Sequence, residues 1–370
     1  MILGAEMADL PAPVTPSRTS LFGPRGGCLV SPDGPLWVAD TGHHRLLGWR
    51  RRPDHDQAPA DWVIGQKDFA SEGRNGKRAT PDAASVNVPT GITRYGRGLA
   101  VADAWNHRVL IWNELPEDSR VPADLGLGQP DCRSVLANRG RLDAGPGTLN
   151  WCYGVHADGE RLYVADTGNR RVLIWDRPPV EQGQPADAVL GQEDMTCRDE
   201  NAGRGPDAAT MRWPHQIAVI DGRLAVTDAG NNRIMVWNTP RPESGQPADL
   251  ILGQAAPDQV EHNRGRYLPD AASLNMPYGL AAAGSRFTKG SRLIVADTAN
   301  SRLLGYDDLS ADAVATRLAG QPDFASKGDN RWRNATRDSL CWPYAVSICE
   351  RTVVIADSGN NRVLLWDLAS

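Results

Sequence analysis

No apolar run in this sequence of 370 residues approaches the 18 or so residues that a membrane-spanning helix requires. The first nine residues, MILGAEMAD, also lack the basic start and the long apolar stretch of a secretion signal. We therefore expect a cytoplasmic protein without a membrane partner.

Paired cysteines and an excess of positive charge are missing as well. The six cysteines, at positions 28, 132, 152, 197, 341 and 349, show no CxxC spacing. In a chain without an export signal, we expect reduced, inert thiols rather than a disulfide framework or a metal cluster. The formal net charge of −5 gives no global basic field that would attract nucleic acid or an anionic membrane.

The sequence is rich in turn-forming residues, with 37 glycines and 27 prolines, as is typical of all-β proteins. Residues 164–175 read VADTGNRRVLIW, in which an Asp closes one apolar run and an Arg opens the next. This arrangement occurs six times, about every 60 to 70 residues. The Asp and Arg pairs are Asp40 and Arg45, Asp103 and Arg108, Asp166 and Arg171, Asp228 and Arg233, Asp297 and Arg302, and Asp357 and Arg362.

Each repeat contains four short strand-like runs, the last of which ends in Gly-Gln in five of the repeats. The sixth repeat has no such run after it, but residues 1–5 (MILGA) match residues 250–254 (LILGQ) in pattern. We predict a single all-β domain, a six-bladed β-propeller of four-stranded blades, closed by the N-terminal strand pairing into the last blade. The predicted blades span approximately residues 21–66, 88–129, 150–192, 212–254, 275–321, and 341–370 together with 1–6.

The recurring Ala-Asp-x-Gly-Asn-x-Arg-Val-Leu-x-Trp pattern resembles the NHL-repeat family of β-propellers and covers nearly the whole chain. The resemblance implies the propeller fold. It does not select one activity, because such propellers include protein-binding, RNA-binding and enzymatic members.

The repeated residues are predicted to be framework, because a residue needed in every blade usually holds every blade together. The Asp and Arg are expected to pair across the turn or with a neighbouring blade. An aromatic residue nine positions after each Asp is expected to fill the wedge between blades. An Asn three positions after the Asp, as at Asn106 and Asn169, suits a left-handed turn.

Five loops of about 20 residues connect each fourth strand to the next blade, and with the Asp-x-Gly-Asn turns they are predicted to form the binding face. Each contains a central Asn and a helix-compatible segment such as residues 81–85 (PDAAS). The five loops contain sixteen Lys and Arg residues and sixteen Asp and Glu residues. Because a phosphate-binding face needs a positive excess, nucleic acid is not the expected partner.

Aromatic residues cluster at the predicted starts of the innermost strands, around the mouth of the central channel. These positions, and those preceding the strand-opening proline, comprise Arg25, Thr90, Trp151, Tyr153, Trp213, His215, Met276, Tyr278, Trp342 and Tyr344. Aromatic walls with a few polar tips are typical of a ligand pocket. The alternative is that the aromatic side chains simply plug the channel.

Trp213-Pro214-His215 is similar to a motif of the peptidyl-hydroxyglycine lyases, NHL-like enzymes that place His after Pro to ligate zinc. The other five positions carry no His, and His156 would still leave a catalytic zinc short of three protein ligands. Calcium-dependent lactonase-like propellers need converging carboxylates, whereas Asp158 and Asp221 are predicted at distant turns. We therefore predict no metal or other cofactor.

Two further positions depart from the repeat. Trp105 replaces the usual Gly in the turn of the second blade, close to His107, and is a candidate interface anchor. Cys152 stands where the other blades have Pro, and Cys132, Cys197 and Cys341 are predicted near the same face. Buried, inert thiols are favoured over a soft-metal site.

The sequence favours a non-catalytic scaffold that binds a protein or peptide partner, or a small ligand, through the long-loop face and the channel mouth. The alternative is a hydrolase or lyase with an active site formed by His215, Tyr153, Tyr278, Tyr344 and Arg25.

Overall fold

A computed structural model describes residues 1–4, 14–282, 293–311 and 313–368. These residues form six antiparallel sheets of four strands each. The first strands of the six blades contact one another in sequence, including the first and the last, so they form a closed ring around a central channel. The predicted all-β, six-bladed propeller is therefore confirmed.

Strands are numbered in chain order. The innermost strands are β2 (Gly26–Leu29), β6 (Pro89–Tyr95), β10 (Cys152–Ala157), β14 (Pro214–Ile220), β18 (Pro277–Ala282) and β22 (Pro343–Cys349). The second strands are β3 (Leu36–Asp40), β7 (Gly98–Asp103), β11 (Leu162–Asp166), β15 (Arg223–Asp228), β19 (Leu293–Asp297) and β23 (Thr352–Asp357).

The third strands are β4 (Arg45–Trp49), β8 (Arg108–Trp112), β12 (Arg171–Trp175), β16 (Arg233–Trp237), β20 (Arg302–Tyr306) and β24 (Arg362–Asp367). The outer strands are β1 (Ile2–Gly4), β5 (Trp62–Ile64), β9 (Leu125–Leu127), β13 (Ala188–Leu190), β17 (Leu250–Leu252) and β21 (Arg317–Ala319). Short 3₁₀ turns join second to third strands at Thr41–His43, Ala104–Asn106, Thr167–Asn169, Ala229–Asn231, Thr298–Asn300 and Ser358–Asn360. Others lie in the long loops at Arg74–Lys77, Ala137–Gly140, Glu200–Gly203, His262–Gly265 and Asp329–Trp332.

The N-terminal strand closes the ring. β1 pairs antiparallel with β24 in the register Ile2 to Leu364 and Gly4 to Arg362. Leu3 is buried in a core cluster that belongs to the first and sixth blades. The closure predicted from the pattern of residues 1–5 is thus confirmed for the strand itself, while Ala5 and Glu6 lie outside the described residues.

Six apolar clusters hold the blades together, and each is shared by two adjacent blades. One of them joins Val109 and Ile111 of the second blade to Leu173 and Trp175 of the third. Trp175 is almost fully buried, and its indole Nε1 donates to the carbonyl of Gln184 at 3.1 Å. The end-of-strand aromatic therefore fills the wedge between blades while its polar atom remains bonded.

The repeated Asp and Arg pair across the turn, as predicted. In all six blades the Arg Nε lies 2.6–2.9 Å from the Asp Oδ2, and both side chains are buried. Arg171 also donates to the carbonyls of Gly145, Thr148 and Met195, so it ties the loops on either side of its blade. A buried pair of this kind tolerates the loss of neither partner, because the remaining charge would be uncompensated.

The left-handed turn residue is not the Asn three positions after the Asp, so that prediction was wrong by one residue. Asn169 lies in the 3₁₀ turn and donates to Asp166 Oδ2 at 2.7 Å. The next residue, Arg170, has the left-handed backbone, with φ of 55°. The same holds at His44, His107, Asn232, Ser301 and Asn361.

The helix-compatible segments of the long loops are turns, not helices. In residues 81–85, the carboxylate of Asp82 accepts the main-chain N–H of Ala84 at 3.0 Å, and Ser85 Oγ accepts the N–H of Asp82. Such local side-chain bonds compete with helix formation. The 3₁₀ turn instead includes the central Asn of the loop, such as Asn75, which is left-handed and pairs with Asn106 of the next blade.

Candidate functional site

The starts of the innermost strands surround a cavity of about 610 Å³ at one mouth of the channel. Its size is in the range of small-molecule sites. The lining residues are Gly23, Arg25, Trp151, Tyr153, Thr167, Gly168, Arg170, Trp213, His215, Tyr278, Trp342, Tyr344, Ser358 and Gly359. Eight of the ten side chains predicted to bind a ligand or partner therefore lie around one cavity, together with parts of the 3₁₀ turns.

Three tryptophans contribute to the more exposed part of this lining. Trp151, Trp213 and Trp342 are 49%, 37% and 41% exposed, which is unusual for so large an apolar side chain. Each immediately precedes the first residue, or the opening proline, of an innermost strand, so the repeat brings them to the same end of the channel. An accessible aromatic surface of this kind is a common feature of binding sites.

The deeper part of the lining is a packed cluster of aromatic rings. His215 stacks on Tyr278 with ring centroids 4.3 Å apart and on Tyr153 at 5.3 Å. Tyr344 lies 4.7 Å from Tyr278 and 5.9 Å from His215. The rings thus support one another across four blades.

This cluster divides the channel without filling the mouth. Immediately below it the free space shrinks to about 20 Å³, lined by Arg25, His215 and the three tyrosines together with main-chain atoms of the innermost strands. A separate cavity of about 310 Å³ opens at the other end of the channel. The plug and the pocket, which were alternatives in the sequence, therefore coexist: the aromatic cluster is the floor of the cavity.

His215 is held as a neutral imidazole. Its Nδ1 lies 3.0 Å from the carbonyl oxygen of Trp213, so Nδ1 carries the proton and donates it. Burial, which outweighs this hydrogen bond and is reinforced by the charge of Arg25, lowers the pKa of His215 to about 4. Nε2 is left as a hydrogen-bond acceptor with no partner among the described residues.

The phenols of Tyr278 and Tyr344 are protonated donors at neutral pH. Burial raises the pKa of Tyr278 and, more strongly, that of Tyr344 above the usual value for tyrosine. Arg25 carries its guanidinium 4.7 Å from the centre of the Tyr344 ring. Tyr153 and Tyr278 are half-buried, and within the described part of the chain neither hydroxyl has a hydrogen-bond partner.

Arg170 is a lining residue that was not identified from the sequence. In five blades, the side chain at this left-handed position accepts the main-chain N–H of the residue that precedes the next innermost strand. The pairs are His44 with Val88, His107 with Trp151, Asn232 with Met276, Ser301 with Trp342, and Asn361 with Gly23. A guanidinium cannot accept a hydrogen bond, so Arg170 breaks this series.

The break changes the backbone of the next blade. The N–H of Trp213 lies 3.3 Å from Asp228 Oδ1 instead of bonding to the preceding turn. Trp213 is also outside the left-handed region, whereas Val88, Trp151, Met276 and Trp342 have φ between 48° and 55°. The sequence signal was available, because Arg170 is the one residue with an obligatory charge among the six equivalent positions.

Thr90 and Trp105 do not belong to this cavity. Thr90 is fully buried between the second and third blades, where its hydroxyl donates to the carbonyl of Tyr153 at 2.8 Å. Its predicted place at the mouth was wrong, because the short polar side chain turns into the interface. Trp105 is 52% exposed in its turn, away from the lining residues. Met276 precedes Pro277 as expected, but it does not line the cavity.

The residues considered for metal binding are dispersed. His156 lines the cavity at the other end of the channel, so it does not join His215. Asp158 accepts the N–H of Arg161 and the hydroxyl of Tyr163 at a turn. Among the described residues, no group of three or more His, Cys, Asp or Glu side chains has a metal-binding arrangement.

The six cysteines are free thiols. Cys152 is completely buried at the start of its strand, and burial raises its pKa well above the ordinary value. No helix within the described ranges is long and apolar enough to cross a membrane.

No family model matches the sequence, and no curated protein matches it. The NHL-repeat resemblance therefore stays a prediction. Among solved structures, a chain of the hydrazine synthase of Kuenenia stuttgartiensis aligns with a TM-score of 0.49 and 12% identity, covering 95% of this chain and 97% of that one. A streptogramin B lyase aligns with a TM-score of 0.46 and 12% identity, covering 98% and 96%. At this level of similarity, neither structure assigns a site residue in this chain. Its fold is defined by its own six four-stranded sheets, whose innermost strands form a closed ring.

Proposed function

We propose that the protein is a non-catalytic recognition propeller that binds a small ligand, or a side chain of a peptide partner, in the cavity at the channel mouth. One observation carries the proposal. Side chains from five blades converge on a single cavity of about 610 Å³ with aromatic walls. Cavities of this size with few polar groups are the usual form of small-molecule sites.

The exposed side chains of the long loops extend the surface on which a peptide partner would lie. Leu142, Tyr267 and Trp332 come from three different loops and are 89%, 76% and 76% exposed. Tyrosine and tryptophan are frequent among the residues that dominate the energy of protein interfaces. The cavity would then accept one anchoring side chain from the partner.

A library of small molecules, screened by tryptophan fluorescence and thermal shift, tests the proposal. Ligands of the mouth should lose at least tenfold in affinity in Trp213→Ala and Tyr278→Leu, since each change removes part of the wall. Trp105→Ala is the matched control, because it deletes an exposed tryptophan that does not line the cavity. If hits bound equally well to all three variants, the cavity would not be the binding site.

A second candidate is an enzyme, a hydrolase or lyase, that uses the same floor. The observation in its favour is the neutral His215, whose Nε2 is free to accept a proton beside two unpaired phenol hydroxyls. General bases of this type need a position within hydrogen-bond reach of the substrate. Turnover of a bound compound that is lost in His215→Gln, while binding remains, would favour the enzyme over the scaffold.

A further inference from the structure

The charged groups of the mouth are all of one sign. The two residues with a full charge that line the cavity are Arg25 and Arg170. No Asp or Glu is among the lining residues, and neither arginine forms an ion pair with any described carboxylate. Aromatic walls alone would attract a cation, but two guanidinium groups without a neighbouring carboxylate repel it, so the cavity is not a cage for an ammonium group.

The two arginines also have unused hydrogen-bonding capacity. Arg25 lies over the Tyr344 ring at 4.7 Å, and its flat guanidinium faces no carboxylate in the described part of the chain. Arg170 donates through Nη1 to the carbonyl of Gly168 at 2.6 Å, whereas its Nη2 has no acceptor among the described residues. Guanidinium donors that have no protein acceptor remain available to an anionic ligand.

The hydroxyls of the floor also favour an anionic ligand. Tyr153 and Tyr278 have protons to donate and no acceptor among the described residues. Carboxylates accept from both guanidinium and phenol groups, and their planar fork matches that of arginine. The stacked rings of the floor and the three tryptophans favour a flat apolar group as the remainder of the ligand.

We propose that the mouth binds a planar aromatic carboxylate, whose carboxylate is held by Arg25 and Arg170 and whose ring packs on the aromatic wall. This inference rests on the proposed function and specifies the class of ligand. Binding of a carboxylate would also explain why an arginine occupies the position at which the other blades have a hydrogen-bond acceptor.

Matched probes test the charge requirement. 2-Naphthoate and 2-naphthamide have the same ring system and differ in charge, and their affinities can be measured by titration calorimetry in 50 mM NaCl. The acid should bind at least tenfold more tightly than the amide. N-acetylphenylalanine and its amide form a second pair, which resembles the end of a peptide. The probe pair with the larger ratio of acid affinity to amide affinity identifies whether a free small molecule or a peptide terminus is the better ligand.

The variants separate charge from structure. Arg25→Gln and Arg170→Asn should each weaken binding of the acid at least tenfold and leave binding of the amide unchanged. Asn is the residue that two other blades have at the position of Arg170, so this variant keeps the turn. Arg97→Gln is the charge control, since Arg97 lies exposed at the opposite end of its blade and pairs with Glu114.

Four outcomes overturn the inference, and they are distinguishable. If acid and amide bound equally, and Tyr278→Leu weakened both, the mouth would be a binding site without selectivity for anions. If Arg97→Gln weakened the acid as much as Arg170→Asn, the effect would be one of general charge. If no probe bound to the wild-type protein, this inference would fail. If probes bound but Tyr278→Leu and Trp213→Ala did not weaken their binding, both this inference and the proposed function would fail.

Discussion

The main-chain N–H of Trp151 donates to Nδ1 of His107 at 2.9 Å, and this bond fixes the entry of one blade to the turn of the preceding one. The corresponding contact is missing between Arg170 and Trp213. The blade that contains His215 therefore lacks this hydrogen bond to the preceding turn, at the point where Arg170 lines the cavity.

Exchanging these residues should move stability in opposite directions. His107→Arg removes the acceptor of the Trp151 N–H and should cost about 1–2 kcal/mol. Arg170→Asn places a residue that tolerates the left-handed backbone and should leave stability unchanged or raise it by up to about 1 kcal/mol. Urea unfolding of both variants measures this. A loss of more than about 1 kcal/mol in Arg170→Asn would contradict the interpretation of the break.

The buried ion pairs should be indispensable. Arg171→Met leaves Asp166 as an uncompensated buried charge and should destabilise the protein by about 3–5 kcal/mol. Arg97→Ala breaks an exposed pair with Glu114 and should change stability by less than about 1 kcal/mol. Thermal unfolding followed by circular dichroism distinguishes the two. Equal melting temperatures would show that the repeated pair is not framework.

Closure by the N-terminal strand should be essential for the sixth blade. Deleting residues 1–5 removes the partner of β24 and exposes a strand edge, so the melting temperature should fall steeply. Leu3→Ala keeps the strand but removes a buried side chain, and it should cost about 2–5 kcal/mol. A deletion variant that melts like the full chain would disprove the closure.

His43 should make stability depend on pH. In the first blade it replaces the turn Asn, and its two ring nitrogens lie 2.8 Å from Asp40 Oδ2 and 2.7 Å from the carbonyl of Val14. Burial opposes its protonation, and so does Arg45 at 3.5 Å, but the hydrogen bond and charge of Asp40 outweigh them and raise the pKa of His43. Glu72, at 3.9 Å, also favours the charged ring.

Because the folded pKa of His43 is above the unfolded value of 6.5, its contribution is fully present below pH 6.5 and is lost as pH rises through the folded pKa. His43→Asn inserts the residue found in five other blades and should remove this component. Melting temperatures of both proteins between pH 5.5 and 9 measure it. If the difference between them did not change with pH, the pKa of His43 would be the same in the folded and the unfolded protein. The adjacent His44, whose pKa is lowered chiefly by burial, is present in both proteins.

His215 should stay neutral throughout the physiological range. With a folded pKa of about 4, its imidazole should show the Nδ1–H tautomer in nitrogen-detected NMR spectra from pH 5.5 to 8. His215→Gln assigns the signal. Titration near pH 6.5 would mean that the floor is open to water.

Local sequence patterns were sufficient to predict much of this structure. Six copies of an Asp and an Arg five residues apart, each flanked by apolar runs, predict blades, because strand alternation and turn chemistry are local properties. The count of five Gly-Gln strands for six blades even predicted that residues 1–5 close the ring. The same repetition identified Tyr153, His215, Tyr278 and Tyr344 as departures that meet at the channel.

Tertiary structure decided what those departures do. Whether Thr90 faced the mouth or a neighbouring blade depended on the carbonyl of Tyr153, which is 63 residues away in sequence. The role of Arg170 became visible only from the hydrogen bonds at the five equivalent positions, where the side chain accepts a main-chain N–H of the next blade. Such choices are made by partners brought together only when the ring closes, so the framework could be derived from sequence order, and the geometry and charge of the cavity could not.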